Sequence, residues 1–458
     1  LPYEDFIMTP SADIVICGAG ISGVSAAFFL SRMGARNIIV IDERPPLSLT
    51  SMRSTECYRN WWPGAEMAAF MNRSIDLLEE LADESGNVFG MNRRGYLYLT
   101  ADRNKIDEMR RIGEDTAQAT GQPLRIHTAA QNNYQPSHAE GWKDHPNGAD
   151  LILDQNLIRK YFPCVSADAV AAIHARRAGW LSAQQLGMYM IDQAKSRGVR
   201  FVQGQVQRLS VSDRRVERID LDHGESIRAG NFVNASGPFF KNVGSMAGLD
   251  LPVHTELHLK VAFKDVMKII DRDAPLLIWN DKQFLDWDND EREMLAEDES
   301  TRWMLDEFPA GIHTRPEGLA DSPMAIFLWE YQTQVLEPII PPPLDENYPE
   351  IVLRGMARMI PGLKKYFGKA PKPILDGGYY TKTRENRPLI GSTSWKNYFL
   401  IGAVSGYGIM ASCAAGDLLA KTIIGSPLPE YASAFALARY DDAEYLKRLD
   451  EWAEGGQL

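Results

Sequence analysis

The 458-residue sequence predicts an α/β (α+β) fold containing a Rossmann-like dinucleotide-binding domain, and three observations carry that prediction. The first is DIVICGAGISGVSAAFFL (residues 13–30), an apolar run, a glycine turn and a second apolar run. The second is an apolar stretch at 38–41 that ends on Asp42. The third is another apolar run, glycine turn and apolar run near the C-terminus, NYFLIGAVSGYGIMASCAAGDLLAKTI (397–423).

Residues 14–17 form a short continuous apolar run, as expected of a parallel strand buried on both faces. Gly18, Gly20 and Gly23 then fit G-x-G-x-x-G. The first glycine permits the tight turn, the second lets the backbone approach a pyrophosphate, and the third allows close helix–strand packing. Ile21 and Ser22 open the helix, whose N-terminus favours negative charge. Asp42 follows Gly23 by nineteen residues, where its carboxylate accepts from a ribose 2′-hydroxyl and repels a 2′-phosphate. This disfavours NADP but leaves NAD and FAD open. Glu43 and Arg44 continue the same nucleotide edge.

The rest of the chain chooses between them. A NAD enzyme normally continues with regular strand–helix units. Here the chain runs into TSMRSTECYRNWW (50–62), rich in hydroxyls and arginine, with Ser51, Arg53 and Ser54 as cofactor-loop residues. Much later FVNASGPF (232–239) takes a buried strand into a small-residue turn at Ala235 and Gly237. The C-terminal turn adds Gly402, Ser405, Gly406, Gly408 and Ile409. A cofactor touched by both ends of the chain is long and has two distinct halves, which suits FAD.

These segments together resemble the D-amino-acid-oxidase-like family of FAD-dependent oxidoreductases, the group of sarcosine oxidases, glycine oxidase and dye-linked L-proline dehydrogenases. SMRSTECYRNWW is most similar to the loop of the proline dehydrogenases, and YYTKT (379–383) to that of monomeric sarcosine oxidases. The resemblance implies an FAD domain at 11–90, 168–248 and 376–430. It also implies a discontinuous substrate domain at 91–167 and 249–375, built on a mixed, largely antiparallel sheet. Residues 431–458 read as a C-terminal helical tail. Ser182 is expected to cap a helix that stops near Gly198, and Val206 in GQVQRLSV to meet the adenine through its backbone. GYLYLT (95–100) and LPVHTELHLKVAF (251–263) read as alternating strands, and the acidic stretch 281–307 as a solvated amphipathic helix.

The resemblance implies oxidation of a C–N bond of a secondary amine or amino acid by hydride transfer to flavin, the imine product then hydrolysing. Such chemistry needs a neutral nitrogen and a dry pocket, with the flavin as the electron acceptor. The same fold also serves a non-catalytic or assembly-type flavoprotein. Arg59 stands where related enzymes keep an arginine for the substrate carboxylate, and a guanidinium grips a carboxylate bidentately; the alternative is an ion pair with an acid of its own domain. Two cations of the family are replaced, by Tyr380 and Met410. Lys260, Lys382 or Arg384 could compensate, and a hydroxyl from Tyr380 or Tyr407 could donate to substrate or simply pack beside the flavin. His254, Glu256, His258 and Lys260 share one strand face. A solvent-facing polar stripe is the first reading of that face, with His258 and Lys260 lining the substrate pocket as the second. The flavin loop has no histidine, the family's cysteine attachment point falls near Gly378, and Cys57 reads as a packed residue, so FAD is expected without a covalent bond. The strand in MAIFLWEYQ (324–332) has no lysine to assist reaction with oxygen and offers Trp329, Glu330 and Tyr331 instead. That leans towards a dehydrogenase using another electron acceptor.

A net charge of −12 argues against nucleic acid, because phosphate contacts need clustered Lys and Arg. The eight histidines show no metal-ligand spacing, and four scattered cysteines favour a reducing, cytoplasmic setting over a disulfide framework. The first ten residues lack the basic-then-apolar order of a signal peptide. The twenty uncharged residues between Lys396 and Asp417 are long enough to span a bilayer, but their glycines and serines fit strand, turn and buried helix better. Partners are therefore a small amine or amino acid and an electron acceptor, oxygen or another carrier; an oligomer stays possible.

Overall fold

A computed structural model describes residues 10–318 and 321–451. Residues 1–9 of the N-terminal stretch and 452–458 of the expected tail lie outside the described residues. The first sheet has five parallel neighbours, in the order Tyr398–Gly402, Ser226–Asn234, Ser11–Cys17, Ile38–Asp42 and Arg200–Gln203. An antiparallel hairpin, Val206–Ser212 with Arg215–Leu221, extends it beside Ser226–Asn234, and Leu389–Ser392 pairs antiparallel to Tyr398–Gly402.

Period-two alternation sorts the side chains of the parallel strands into two cores. Ile14, Ile16, Val40, Val233 and Ile401 point to a core shared with the helices Ile21–Arg32 and Gly408–Ile424. Val15, Ile39, Ile41, Phe232 and Leu400 point to the opposite core. With both faces covered, the strands read as the continuous apolar runs seen in the sequence.

The two helices touch through small residues. Ser25 Oγ donates to Ser412 O at 2.5 Å, and a Cβ on Gly416 would lie 2.2 Å from Ser25 Oγ. This close approach aligns the N-terminal and C-terminal glycine turns at one edge of the sheet. The uncharged stretch is thus strand, turn and helix, and no helix among the described residues is long and apolar enough to cross a membrane.

The second sheet has nine strands: Ile374–Lys382, His254–Lys264, Met324–Leu328, Ile312–Glu317, Leu276–Trp279, Tyr96–Thr100, Ala171–Ala175, Ala149–Ile152 and Leu124–His127, in that spatial order. All pairs are antiparallel except two. Segments 168–248 and 376–430 each carry residues of this sheet, Ala171–Ala175 and part of Ile374–Lys382. In Tyr96–Thr100 both faces are buried, Leu97 and Leu99 in one core and Tyr96 and Tyr98 in another.

Ser182 caps the helix Ala183–Ser196 by accepting from Gln185 N at 3.3 Å. The acidic stretch forms the exposed helix Asn289–Glu297, started by a reciprocal capping box of Asp288 and Glu291. The described part of the C-terminal tail is helical, but it is not all surface, since Phe435 and Arg439 are buried. It runs as two short 3₁₀ turns before the helix Ala443–Glu451, because Pro427 and Pro429 break the chain and Phe435 and Arg439 are drawn into the interior. Arg439 grips fully buried Glu385, which also accepts from the Tyr440 and Tyr445 hydroxyls. Burial raises the Glu385 pKa, but Arg439 and these hydrogen bonds outweigh it and hold the carboxyl below its ordinary value. The pair's stabilisation is therefore present above the ordinary carboxylate pKa and lost as pH falls through the folded value. Glu385→Gln is expected to destabilise the protein by about 3–5 kcal/mol at neutral pH, the cost of stranding a buried partner. Urea unfolding checks this, and unchanged stability would show that the pair contributes nothing.

Candidate active site

Both glycine turns lie at the carboxyl ends of the parallel strands, where open α/β sheets place their ligands. Gly18 has φ +110°, and a Cβ there would lie 2.3 Å from the Ala235 carbonyl oxygen. A Cβ on Gly23 would lie 1.9 Å from the Gly18 carbonyl oxygen, so this glycine packs helix against turn, behind the cleft. At Gly20 the nearest atom to such a Cβ is Ser51 Oγ at 3.5 Å, and the backbone borders open cleft.

The second turn is strained without glycine: Ala403 and Ser405 have φ +54° and +44°, at a cost of about 1–3 kcal/mol each. Backbone bonds hold it, Ser405 N to Thr381 O at 2.9 Å and Tyr407 N to Val404 O at 3.0 Å. Ser405 Oγ is buried with no hydrogen-bond partner among the described residues. The Gly408–Ile424 helix begins here, and its N-terminus favours negative charge.

Between the turns runs a cleft of about 900 Å³. Gly18, Gly20, Ile21, Ser22, Ser51, Ser54, Ala235, Gly237, Gly402, Ser405, Gly406, Gly408, Ile409 and Tyr380 line it. It shares Gly18 and Asp42 with a second hollow bordered by Glu43, Arg44 and Val206. Asp42 is oriented by Ala19 N and Arg44 N, which donate to its two oxygens at 2.7 and 2.9 Å. A long groove with an open glycine cradle, an unpartnered hydroxyl and two helix N-termini fits an FAD-sized dinucleotide. Three residues expected at the cofactor line neither hollow: Gly23, behind the turn, Arg53 and Gly378. Arg53 turns its guanidinium to Asp376 (3.0 Å) and to the Ser48 and Leu49 carbonyls, so it shapes the loop. Gly378 lies against Arg53 and Thr50.

A larger cavity meets the cleft at Tyr380 and Gly406. Arg59, on the short strand Cys57–Arg59, lines it and is 4% exposed. Its guanidinium donates to the Tyr98 hydroxyl and lies 4.6 Å from the Trp62 ring centroid. Tyr96, Tyr407 and Met410 add apolar wall, and Glu330, His313, Lys105 and Glu108 add titratable groups. His313 Nδ1 lies 2.8 Å from Gly311 O, which can only accept. Nδ1 therefore carries the proton, Nε2 keeps a lone pair, and burial lowers the ring's pKa.

The structure corrects several expectations. The His254–Lys260 face is only partly solvent-facing: the His254 side chain is 34% exposed, but His258 stacks on Tyr380 at 3.9 Å and 15° and its side chain is 2% exposed. The segment after the neighbouring strand and the loop beyond it cover this face, which strand alternation cannot foresee. His258 sits behind the cavity wall, bonded to Glu330. Lys260 does not line the cavity; its Nζ donates to Ser54 O at 2.9 Å and steadies the cofactor loop. Nor do Lys382 or Arg384 reach it, being paired with Glu256 and Asp450. Tyr407 lines the cavity, but its hydroxyl donates to Asn386 O at 2.6 Å. Tyr96, Tyr98 and His313 escaped the sequence reading, although alternation in YLY already placed both tyrosines on one face.

A model of the DAO family, FAD dependent oxidoreductases, matches residues 13–422. The chain belongs to the DAO family. Among curated DAO-like relatives, rat (Rattus norvegicus) mitochondrial dimethylglycine dehydrogenase is 24% identical over 270 residues, 58% of this chain and 28% of that protein. A mouse (Mus musculus) protein, the mitochondrial pyruvate dehydrogenase phosphatase regulatory subunit, is 22% identical over 285 residues, 59% of this chain and 29% of that one. The chain thus spans under a third of the length of these relatives. The crystal structure of L-proline dehydrogenase from P. horikoshii shares the DAO fold, with a TM-score of 0.73 at 19% identity over 95% of this chain and 99% of that one.

Proposed function

We propose that this FAD-dependent oxidoreductase oxidises a C–N bond of a secondary amine or amino acid, and that the imine product hydrolyses in water. One observation carries the reading: an aromatic-walled cavity meets the cofactor cleft and presents the Arg59 guanidinium and the Glu330 carboxylate. Opposite charges beside aromatic side chains suit a zwitterion. Arg59 would hold a carboxylate, Glu330 would face the amine, and the aromatic side chains would pack against the carbon skeleton. Bound FAD supplies the two-electron acceptor. For it, Asp42 would take the ribose hydroxyls, Gly18 and Gly20 the pyrophosphate, Val206 the adenine, and the 402–409 turn the flavin. Tyr380, between cleft and cavity, would pack beside the flavin.

A non-covalent cofactor is supported by Cys57, whose thiol is buried, with its pKa pushed up by burial, and so is a poor nucleophile. Acid precipitation is expected to leave FAD in the supernatant; colour retained in the pellet would overturn this. Four unbridged cysteines support a reducing, cytoplasmic setting. Glu330, an anion on the cavity wall, opposes the superoxide-like charge formed as oxygen is reduced, so a dehydrogenase is favoured over an oxidase. Turnover of N-methyl amino acids, proline, D-amino acids and polyamines is expected to be faster with an artificial dye than with air. Rapid peroxide formation would overturn the dehydrogenase assignment. The regulatory-subunit relative favours a second reading, a non-catalytic flavoprotein, which predicts no turnover with any acceptor.

A further inference from the structure

Oxidation at a C–N bond needs a nitrogen lone pair, yet an aliphatic amine with a pKa of about 10 is almost wholly protonated at neutral pH. Its proton must leave the reacting nitrogen before the C–N bond is oxidised. A line of polar groups runs from the cavity through its wall. Glu330 borders the substrate cavity on one side and a second pocket, shared with His258, on the other. His258 Nδ1 lies 3.2 Å from Glu330 Oε1, and Nε2 lies 3.0 Å from Glu256 Oε2. Glu256 Oε1 in turn lies 3.2 Å from Nε2 of His254, whose side chain is 34% exposed.

We propose that Glu330, His258 and Glu256 form a proton relay that takes the proton of the substrate ammonium group and delivers it to solvent at His254. This rests on the amine-oxidising reading above. In the first step the substrate N–H bond breaks, a Glu330 O–H bond forms, and the electron pair stays on nitrogen. His258 enters this step neutral, with its one proton on Nε2; Glu330 passes its proton to the Nδ1 lone pair as Nε2 releases its proton to Glu256, so one proton enters and one leaves.

The surroundings suit this. Carboxylates only accept, so two of them favour the imidazolium with both nitrogens donating, and the relay runs above the His258 pKa, where the neutral ring keeps Nε2–H on Glu256 and a lone pair on Nδ1 towards Glu330. Burial opposes that charge, but the bonds to Glu256 and Glu330 outweigh it and raise the His258 pKa. The charged and titratable neighbours are Lys382, 2.7 Å from Glu256; Tyr380, stacked on the ring; Tyr348, buried near Glu330; and His313, across the cavity wall. Lys382 balances the second carboxylate and leaves Glu330 to face the ammonium. His313 is the rival proton acceptor.

The test is the pH dependence of anaerobic flavin reduction by whichever of N-methylglycine, N,N-dimethylglycine or L-proline bleaches the FAD-loaded protein. With the relay intact the rate levels off well below the amine's own pKa. In Glu330→Gln only amine already neutral can react, so the rate is expected to rise about tenfold per pH unit towards the amine pKa of about 10. His258→Gln is expected to show the same dependence with Glu330 present. A merely structural loss lowers the rate equally at every pH, and FAD content and thermal midpoint report it separately. A bleachable protein whose Glu330→Gln variant keeps the wild-type profile overturns the relay alone. So does a hydroxide dependence that appears in His313→Gln instead. A wild-type flavin bleached by none of these amines, nor by D-amino acids or polyamines, removes the amine reading and the relay with it.

Discussion

Arg59→Ala is expected to weaken binding of a carboxylate-bearing amine by about 2–5 kcal/mol, the range for losing one partner of a buried charged pair. FAD content is expected not to change, because the cofactor cleft is lined by other residues. The side chain is fixed before substrate arrives, with its donor on the Tyr98 hydroxyl and its face over Trp62. Its cost of ordering is therefore already met in the free protein. Arg59→Lys should fall between, since it keeps a charge but loses the planar fork and the stacking. Substrate titration of flavin absorbance measures all three proteins, and an unaltered affinity in Arg59→Ala would remove the anchor.

Gly23→Ala is expected to lose FAD and stability together. The new methyl would lie 1.9 Å from a backbone oxygen of the turn that cradles the cofactor. Neither backbone can yield without opening that turn, which puts the cost near the top of the overpacking range, about 3 kcal/mol. Gly20→Ala separates the two effects. Its methyl meets nothing closer than 3.5 Å but projects towards the cleft, so this variant should fold normally and bind FAD poorly. Thermal unfolding of the FAD-free proteins and FAD titration give both quantities. A fully yellow, fully stable Gly23→Ala protein would contradict the assigned role of that turn.

Much of the cofactor region was legible because its constraints are local. A turn that lets Gly18 pass Ala235, a helix that needs Gly23 against the turn, and strands buried on both faces each write a short-range pattern. The substrate side is assembled from distant segments, and there the sequence reading was partial. Arg59 was accessible through its loop, and Tyr96 and Tyr98 through alternation. Glu330 lies just beyond the Met324–Leu328 strand with no spacing to mark it, and only the fold brings it to His258. The face carrying His254, Glu256, His258 and Lys260 was read first as solvated because period two shows which residues share a face, not what covers it. Lys260 was misplaced for the same reason: the cofactor loop, far away in sequence, lies over it. The burial of the tail was not legible because the Glu385–Arg439 pair that draws it inward links residues 54 apart.

The central claim is that this cavity delivers an amine to FAD, and one measurement addresses it most directly. FAD-loaded protein is mixed anaerobically with each of the amines named above, and the visible flavin absorption is followed while released carbonyl is assayed. The account predicts that at least one carboxylate-bearing amine bleaches the flavin and yields one carbonyl product per FAD reduced. A flavin that stays fully coloured with every amine, yet is bleached by a hydroxy acid or a nicotinamide, would contradict it.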